Sequence, residues 1–395
     1  MTAAAGPPVA VFGSVPFTAP WLTEHNLAWA LHRRTAVSWV DPPHSPLTPL
    51  RARLARRPAA PAPDPADPPG AHAGAALPVR RPVVLPPVEH PLAQRLSYRL
   101  LRAQLAPLRR DRPLAIFARG PRATVGMVAP ACSVYLVKDW IPAGAQLLGR
   151  TEEELEQEVL SMCRRVDLVC AVTERLRATL AERGIDSRLL RHGFAAELAP
   201  RFDGADTPAG LASLPRPLLG YVGRIDDRLD FAALAATADR LREGTVVLVG
   251  PVSPRLAPAS RAALGSRPNL VVLGAQPRDA VPAHLAALDC ALLPYREDAW
   301  GAHGSPLKLW EYLYAGCPIV ASGYEVLREY GAFVDYVAPA DLPEAAARAL
   351  DGRRPEDRAQ RRAHALANTW DDRAAELLRM AAPLLGDPRN VPQPG

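Results

Sequence analysis

Apolar runs rich in β-branched residues alternate with segments of helical periodicity along the whole chain of 395 residues. Such alternation is typical of a parallel sheet covered by helices on both faces. The chain is also too long for one core of usual size. We therefore predict an α/β fold of two doubly wound, Rossmann-like domains in tandem, with ligands in the cleft onto which the carboxyl ends of their strands open. The apolar runs of the two halves are VAVF, SVYLV and DLVCAV, then LLGYV, TVVLV and CALLP.

A polar segment with several prolines interrupts the alternation midway and predicts the domain boundaries. We expect a first domain over 1–201, a linker over 202–216 and a second domain over 217–358. Residues 359–395 are predicted to form C-terminal helices, and a return of these helices to the first domain is left open. Many of the 44 prolines crowd into residues 51–91, which we predict to be a mobile loop on the first domain.

Charge and composition exclude several classes of protein. The net charge of +6 is small for this length, so we expect no nucleic-acid partner. No apolar run approaches the roughly 20 residues of a membrane-spanning helix, and the first residues lack the pattern of a signal peptide. The five cysteines form no C-x-x-C pair, which suits a reducing compartment. These observations predict a cytoplasmic protein. Peripheral membrane contact through the Arg- and Leu-bearing stretch 100–110 is one interpretation, and an ordinary surface helix is the other.

A short helix in the second half carries the most informative pattern. Ser305 is predicted to be its N-cap, Pro306 its first residue and Gly316 its C-cap. The N-terminus of a helix favours an anion such as a diphosphate. Lys308, in the first turn, is one of only two lysines among 47 basic residues, and Glu311 follows on the same face. A phosphate-binding cation and a hydroxyl-binding carboxylate are thus predicted together, the alternative being a plain surface ion pair.

In this helix and in motifs elsewhere in the chain, the sequence resembles the family-4-like glycosyltransferases of the GT-B type. Matching residues of the first half resemble the teichuronic-acid-type subgroup of that family. The resemblance covers nearly the full length and keeps the order of the motifs. The residues that carry it are S-P-L-K-L-W-E-Y-L-x-A-G-x-P-I-V from Ser305, Tyr221-Val-Gly-Arg-Ile, Val249-Gly-Pro, Leu293-Pro-Tyr, Thr369-Trp-Asp, Trp39-Val-Asp-Pro-Pro, Asp139-Trp and Ala171-Val-Thr.

The resemblance implies that the second domain binds a nucleotide-diphosphate sugar and the first domain an acceptor. It assigns Glu311 to the donor ribose. Where the family pattern has another glutamate, this chain has His303, which either hydrogen-bonds the donor or is a plain loop residue. Arg228 stands nearest to a lysine of the family, with a solvent-facing arginine as the alternative. The predicted donor-binding residues are Gly223, Arg224, Arg228, Gly250, Gln276, Ser305, Pro306, Leu307, Lys308 and Glu311.

Strand ends of the first domain are predicted to bind the acceptor. Gly13 and Ser14 follow the first strand, and Lys138, Asp139 and Trp140 follow a later one. Asp139 would orient or deprotonate an acceptor hydroxyl, and Trp140 would stack on a ring. Their alternatives are a helix cap for Asp139 and a core position for Trp140. The catalytic residues we predict are Arg224, Lys308, His303 and Asp139.

Missing motifs argue against other enzymes. No D-x-D occurs, which disfavours a metal-bridged diphosphate site, and we predict no metal and no cofactor beyond the nucleotide sugar. The chain has no G-x-G-x-x-G after its first strand, no G-x-x-x-x-G-K-[ST] and no G-x-S-x-G. A nicotinamide dehydrogenase, a P-loop nucleotidase and a serine hydrolase are therefore not expected.

These observations predict a glycosyltransferase that moves a sugar from a nucleotide-diphosphate sugar to an acceptor hydroxyl or amine. The resemblance implies retention of configuration, and the cationic leaving-group site needs no metal. The acceptor is a small molecule, a lipid or a glycan, and the Arg-rich, Lys-poor composition suggests a bacterial host that makes natural products or envelope glycans. The alternatives are a sugar-nucleotide epimerase and a catalytically silent homologue that binds nucleotide sugar.

Overall fold

The computed structural model describes residues 6–19, 21–45, 77–85, 91–119, 123–241, 243–352 and 355–385. The chain divides into two units. The first contains Met1–Val172, Leu176–Arg191 and Asp371–Gly395, and the second contains Thr173–Arg175 and His192–Trp370. Most of the predicted proline-rich loop, 51–76 and 86–90, lies outside the described residues.

The first unit is built on a parallel sheet of seven described strands, ordered β3-β2-β1-β4-β5-β6-β7. The central strands are buried along their full length, as a sheet covered on both faces requires. The strands are β1 (Val9–Phe12), β2 (Val37–Val40), β3 (Val79–Arg80), β4 (Leu114–Phe117), β5 (Cys132–Val137), β6 (Leu168–Ala171) and β7 (Arg188–Leu189).

Helices connect these strands. In α6, the Thr151 side chain accepts from the Glu154 backbone N–H, so a polar N-cap fixes where the helix begins. The helices are α1 (Thr23–His32), α2 (Pro91–Gln104), α3 (Ala106–Asp111), α4 (Ala123–Val128), α5 (Ala145–Leu148), α6 (Glu152–Cys163) and α7 (Glu174–Ala181).

The second unit repeats this architecture with a parallel sheet of six described strands, ordered β10-β9-β8-β11-β12-β13. Its strands are β8 (Leu218–Val222), β9 (Thr245–Val249), β10 (Leu270–Gly274), β11 (Cys290–Pro294), β12 (Ile319–Ser322) and β13 (Val334–Tyr336). Its helices are α8 (Ala199–Phe202), α9 (Ala209–Ala212), α10 (Phe231–Arg240), α11 (Pro258–Leu264), α12 (Val281–Ala286), α13 (Lys308–Ala315), α14 (Leu342–Asp351) and α15 (Pro355–Leu366).

In both sheets the strand order reverses beside the first strand of the unit. β1 lies between β2 and β4, and β8 lies between β9 and β11. In doubly wound sheets such a reversal leaves a crevice at the carboxyl ends of the strands, where ligands bind. The predicted α/β fold of two Rossmann-like domains is therefore confirmed. From the strand order, the ligand crevice is expected at the carboxyl end of β1 in the first unit and of β8 in the second.

The boundaries differ from the predicted ones. The passage from the first unit to the second falls at 191–192, earlier than the predicted domain end at 201. The predicted linker 202–216 belongs to the second unit, because Phe202 and Leu211 bury their side chains there. The composition of 202–216 is polar and rich in proline, as in a linker, but the segment contains two buried apolar residues.

The final helix, α16 (Trp370–Leu385), belongs to the first unit from Asp371 onward. Arg33, after α1, pairs with Asp371 through its Nε and Nη2 atoms over 3.0 and 2.7 Å. Ala374, Leu377 and Ala381 of the helix are fully buried. Of the predicted C-terminal helices, α15 stays with the second unit and α16 returns to the first. Within the described residues, we find no helix that is both long enough and apolar enough to span a bilayer.

Candidate functional site

Glycines end three neighbouring strands of the second sheet at its crevice. Gly223 follows β8 and donates to the Val249 carbonyl over 2.8 Å, and Gly250 follows β9 and donates to the Gly274 carbonyl over 2.7 Å. Both have positive φ, 152° at Gly223 and 143° at Gly250. A Cβ atom at Gly250 would lie 2.0 Å from the Gly223 carbonyl oxygen. Only glycine allows these strand ends to approach so closely.

Lys308, the first residue of α13, places its ammonium directly over this backbone. A Cβ at Gly223 would lie 2.1 Å from Lys308 Nζ. The ammonium donates to the Tyr221 hydroxyl over 2.5 Å and lies 4.1 Å from the centre of the Tyr221 ring and 5.8 Å from that of Tyr295. Burial lowers the pKa of Lys308 to about 7, and the nearby Arg228 acts in the same direction. A cation is thus held above glycine backbone beside the β8 strand end.

The start of α13 corrects one sequence prediction. The helix begins at Lys308 with Leu307 at the N-cap and no side-chain cap, so Ser305 is not the N-cap and Pro306 is not the first helical residue. The Leu309 N–H bonds to the Pro306 carbonyl instead, and this three-residue spacing makes a tight turn ahead of the helix. Gly316 is the C-cap with φ 83°, as predicted.

The ion-pair alternative for Lys308 and Glu311 is wrong. The described residues contain no contact within 4.0 Å between the Lys308 ammonium and the Glu311 carboxylate, since the ammonium turns to Tyr221. Glu311 is half-buried. Burial raises the pKa of its carboxyl group, while Arg278 and Lys308 favour the charged form. Arg278, in the turn before α12, is therefore the strongest electrostatic partner of Glu311.

The two arginines after β8 have different environments. Arg224 is exposed to solvent. Arg228 is half-buried and makes a two-pronged ion pair with Asp226, whose oxygens lie 2.9 Å from Nε and 2.8 Å from Nη2. Burial works against the charge of Arg228, but the hydrogen bonds to Asp226 hold its pKa above the usual value. The Arg228 side chain is therefore held by Asp226 while remaining partly exposed, and its role toward the donor stays a prediction.

The side chains of His303 and Gln276, both predicted to contact the sugar donor, instead contact nearby backbone carbonyl groups. His303 Nδ1 lies 2.9 Å from the Ala299 carbonyl oxygen, and its own carbonyl accepts from Thr173 Oγ1 over 3.3 Å. Gln276 Nε2 donates to the Leu273 carbonyl over 3.2 Å. Both side chains are fixed locally, and their roles toward a donor stay predictions.

In the first unit, the strand ends of β1 and β5 meet in a buried polar cluster. Lys138 Nζ donates to Ser14 Oγ over 2.9 Å and to Glu24 Oε2 over 2.5 Å, and Ser14 Oγ donates to Glu24 Oε1 over 2.5 Å. The Glu24 side chain is fully buried and that of Lys138 is 13% exposed. Burial raises the pKa of Glu24, but the Lys138 charge and these hydrogen bonds outweigh it, so that pKa is lowered.

The other predicted acceptor residues lie beside this cluster. Gly13 is close to Trp39, where a Cβ would come within 2.2 Å of the Trp39 ring. Trp140 is buried, with the Arg183 guanidinium 4.7 Å from its ring centre, so it is a core residue and the predicted stacking surface is already covered. Asp139 is half-buried after β5. The N-cap of the turn that follows is Trp140 and no side chain caps it, so the helix-cap alternative for Asp139 is also wrong.

Sequence reasoning missed three charged residues of these sites. They are Glu24, Asp226 and Arg278, each of which pairs with or faces a residue that was predicted. Asp226 carried a usable signal, because it stands two residues from Arg228 in a turn after a strand. Among the described residues, no group of three or more His, Cys, Asp or Glu side chains is arranged to hold a metal ion.

Comparison with known proteins gives a family match and a curated relative. Residues 216–352 match the family model described as "Glycosyl transferases group 1". The Bacillus subtilis (strain 168) protein TuaH, named as a teichuronic acid biosynthesis glycosyltransferase, is 30% identical over 105 residues. That match covers 27% of this chain and 26% of TuaH, so the chain matches about a quarter of the length of this relative.

Solved structures extend the likeness to almost the whole chain. Sucrose-phosphate synthase from Thermosynechococcus elongatus matches with a TM-score of 0.67 at 16% identity, over 95% of this chain and 98% of that one. Anabaena HepE, solved with UDP and glucose, matches with a TM-score of 0.65 at 14% identity, over 95% and 99%. A trehalose-6-phosphate protein of E. coli bound with UDP-2-fluoro glucose matches with a TM-score of 0.65 at 14% identity, over 98% and 100%.

At these identities the structural matches establish only the fold of the chain. The family match adds a sequence relationship for residues 216–352 of the second unit. The resemblance to GT-B glycosyltransferases is confirmed, while membership of the teichuronic-acid-type subgroup stays a prediction. The chain is a protein of the GT-B fold whose second unit matches the group 1 glycosyl transferases over residues 216–352.

Proposed function

We propose that this protein transfers a sugar from a nucleotide-diphosphate sugar to an acceptor hydroxyl or amine, with retention of configuration and without a metal. The observation that carries the proposal is the Lys308 ammonium above the Gly223 backbone, at the strand-order reversal of the second sheet. A small neighbour with positive φ leaves room for a diphosphate beside a cation.

Charge that develops on the departing diphosphate is the first thing such a site must stabilise. Lys308 and the exposed Arg224 supply positive charge, and the N-terminal end of the α13 dipole favours an anion at the same place. Preorganised donors of this kind contribute about 3 kcal/mol each to transition-state stabilisation. We propose on this basis that the cations replace a metal ion and that no cofactor is needed besides the sugar donor.

The donor is the part of the substrate that the relatives help to define. HepE was solved with UDP and glucose and the E. coli protein with UDP-2-fluoro glucose, so UDP-glucose is our proposed first donor. Glu311, whose charged form Arg278 favours, has carboxylate oxygens that can accept hydrogen bonds from both ribose hydroxyls. Gly250 and Gln276 end the neighbouring strands and would line the same nucleoside.

The acceptor is assigned to the first unit. Ser14 and Lys138 lie at the crevice of its sheet, and the ammonium has a third N–H beyond the two that bond to Ser14 and Glu24. An acceptor oxygen is the natural partner of that donor. We also propose a reducing, cytoplasmic location, because all five cysteines are free thiols.

The experiment measures UDP release from UDP-glucose with and without EDTA, across a panel of hydroxyl and amine acceptors. Acceptor-dependent UDP release that survives EDTA, and that falls in Lys308→Met, is the expected result. Conversion of the free donor to an epimer, followed by NMR, would instead favour the epimerase alternative. Tight UDP binding with no turnover over the whole panel would favour the silent homologue.

A further inference from the structure

Helix α2 of the first unit carries an unusual concentration of exposed apolar side chains. Among the described residues, six large apolar side chains are exposed, and four of them lie on this one helix: Leu92 (64%), Leu96 (55%), Tyr98 (45%) and Leu100 (38%). Soluble helices usually place polar residues on the outer face. The three leucines form an exposed apolar stripe, Leu92, Leu96 and Leu100, and such a stripe indicates a contact surface.

The stripe is separate from the face by which α2 packs on its own unit. Leu101 and Leu105 are buried, at 5% and 1% exposure. Gln104 is tied to Val83 at both ends of its amide, accepting over 2.9 Å and donating over 2.7 Å. Because one face already anchors the helix, the outward row of leucines is not simply a core face that has lost its partner.

Spacing and charge decide what this outer face is suited to contact. Leu92, Leu96 and Leu100 are four residues apart and form one row along the helix. Arg95, Arg99 and Arg102 are all exposed and follow the same row. Residues 91–104 of α2 contain three arginines and no aspartate or glutamate, although the net charge of the whole chain is only +6. Apolar and cationic side chains are thus concentrated on one element.

We propose that α2 docks the protein onto an anionic lipid surface. Leucines of an interfacial helix enter the boundary between headgroups and acyl chains, while adjacent arginines pair with lipid phosphates. This docking is independent of the proposed transferase reaction, and it would bring the protein to acceptors that reside in a membrane.

The test is co-sedimentation of the full chain with vesicles at low salt. One vesicle is pure phosphatidylcholine and the other is an equal mixture of phosphatidylcholine and phosphatidylglycerol. The wild type should pellet with the anionic vesicles only, and added salt should weaken binding because surface charges are screened. The variants R95E/R99E/R102E and L96S/L100S should each bind at least about tenfold more weakly.

Matched controls lie elsewhere on the chain. Leu366, on α15, is 48% exposed, and Arg255, before α11, is also exposed. Leu366→Ser and Arg255→Glu should bind anionic vesicles like the wild type, and all variants should keep the melting temperature and UDP affinity of the wild type. These two readouts separate failure of the membrane proposal from failure of the proposed reaction.

Three outcomes would overturn the proposal. The first is a wild-type chain that stays in the supernatant with anionic vesicles. The second is loss of binding in the arginine variant but not in the leucine variant, which would leave only non-specific attraction of charges. The third is a wild-type dimer in sedimentation that becomes monomeric in L96S/L100S, since a second copy of the chain would then cover the stripe.

Discussion

Lys308 and Tyr221 meet twice: the lysine ammonium donates to the tyrosine hydroxyl over 2.5 Å and lies 4.1 Å from the centre of the same ring. The ring face attracts the cation, while the hydroxyl holds one of its three N–H donors. This tyrosine therefore fixes the lysine over Gly223 and leaves two donors for a diphosphate.

Removing the cation should weaken nucleotide binding. We expect Lys308→Ala and Arg224→Ala each to lower UDP affinity roughly tenfold to hundredfold, because charge-assisted contacts contribute about 1.5–3 kcal/mol. Titration calorimetry with UDP measures the effect. The control is Arg255→Ala, an exposed arginine of the same unit. Unchanged affinity in both site variants would remove the phosphate assignment.

Affinity for UDP should fall as the pH rises above 7. Burial lowers the pKa of Lys308 to about 7, so more of the lysine is neutral at each step above that pH. Only the protonated form attracts the diphosphate, and the expected slope approaches about tenfold per pH unit. Measurements between pH 7.5 and 9 avoid the titration of the terminal phosphate near pH 6. Lys308→Met should bind weakly with no such slope, and an equal slope in this variant would disprove the assignment.

A methyl group at Gly223 should disrupt the site. Gly223→Ala would force a φ of 152° on a residue with a Cβ and place that atom 2.1 Å from Lys308 Nζ. We expect a loss of about 1–3 kcal/mol in the free energy of unfolding together with a loss of UDP binding. Gly265→Ala is the control, since this glycine has φ −101° and nothing within 4 Å of the added atom. Equal melting temperatures and UDP affinities for the two variants would contradict the prediction.

Glu311 should be required for recognition of the ribose. Truncation would leave the ribose hydroxyls unpaired at about 1–3 kcal/mol each, and Glu311→Gln, which keeps one acceptor oxygen, should weaken binding less than Glu311→Ala. The measurement compares UDP with its 2′,3′-dideoxy analogue. Wild type should prefer the hydroxylated nucleotide, and Glu311→Ala should lose most of that preference. A preference that persists in the variant would refute the ribose role.

The cluster of the first unit should show strong coupling between its two charges. Lys138→Met leaves the fully buried Glu24 without its cation, and we expect a loss of about 3–5 kcal/mol in the free energy of unfolding. The double variant Glu24→Gln/Lys138→Met should recover much of it, because no buried charge is then left unpaired. Denaturant unfolding of Lys138→Met, Glu24→Gln and the double variant measures the coupling energy. Simple additivity of the single changes would show that the two side chains act independently.

The same cluster should also make stability sensitive to acid. The pKa of Glu24 is lowered in the folded chain, so its contribution is complete above the unfolded pKa near 4.5 and is lost as the pH falls through the lower, folded value. Comparison of wild type and Glu24→Gln over that acidic range isolates the effect. A pH dependence that is identical in the two proteins would contradict it.

Strands and strand ends were predictable from the sequence because their cause is local. A parallel sheet covered on both faces needs continuous apolar runs, so β1, β4, β8 and β11 stand out by composition, and glycine at positions 223 and 250 marks the ends. The start of α13 was harder to predict. Ser305 and Pro306 carry the usual signals of a helix start, but a turn ahead of Lys308 takes their place.

Side-chain contacts between residues far apart in the sequence could not be predicted. Glu24 is 114 residues from Lys138, and its helix gives no sign that this acid faces inward. Tyr221 belongs to a recognisable strand, but nothing in the local sequence indicates that a lysine 87 residues later will lie over its ring. The composition of 202–216 also suggested a linker. The segment belongs to the second unit instead, because the side chains of Phe202 and Leu211 are buried although most of their neighbours in the sequence are polar.

The return of α16 to the first unit has a consequence for how the chain is made. Its buried Ala374, Leu377 and Ala381 belong to a unit whose sheet is encoded before residue 192. Proteins emerge from the ribosome N-terminus first, and domains usually fold in that order. The sheet of the first unit is therefore synthesised before α16, and the first unit lacks this helix until the whole second unit has been synthesised. Exposed apolar surface on a nascent chain is a target for chaperones and aggregation, so the first unit to emerge is the last to be completed.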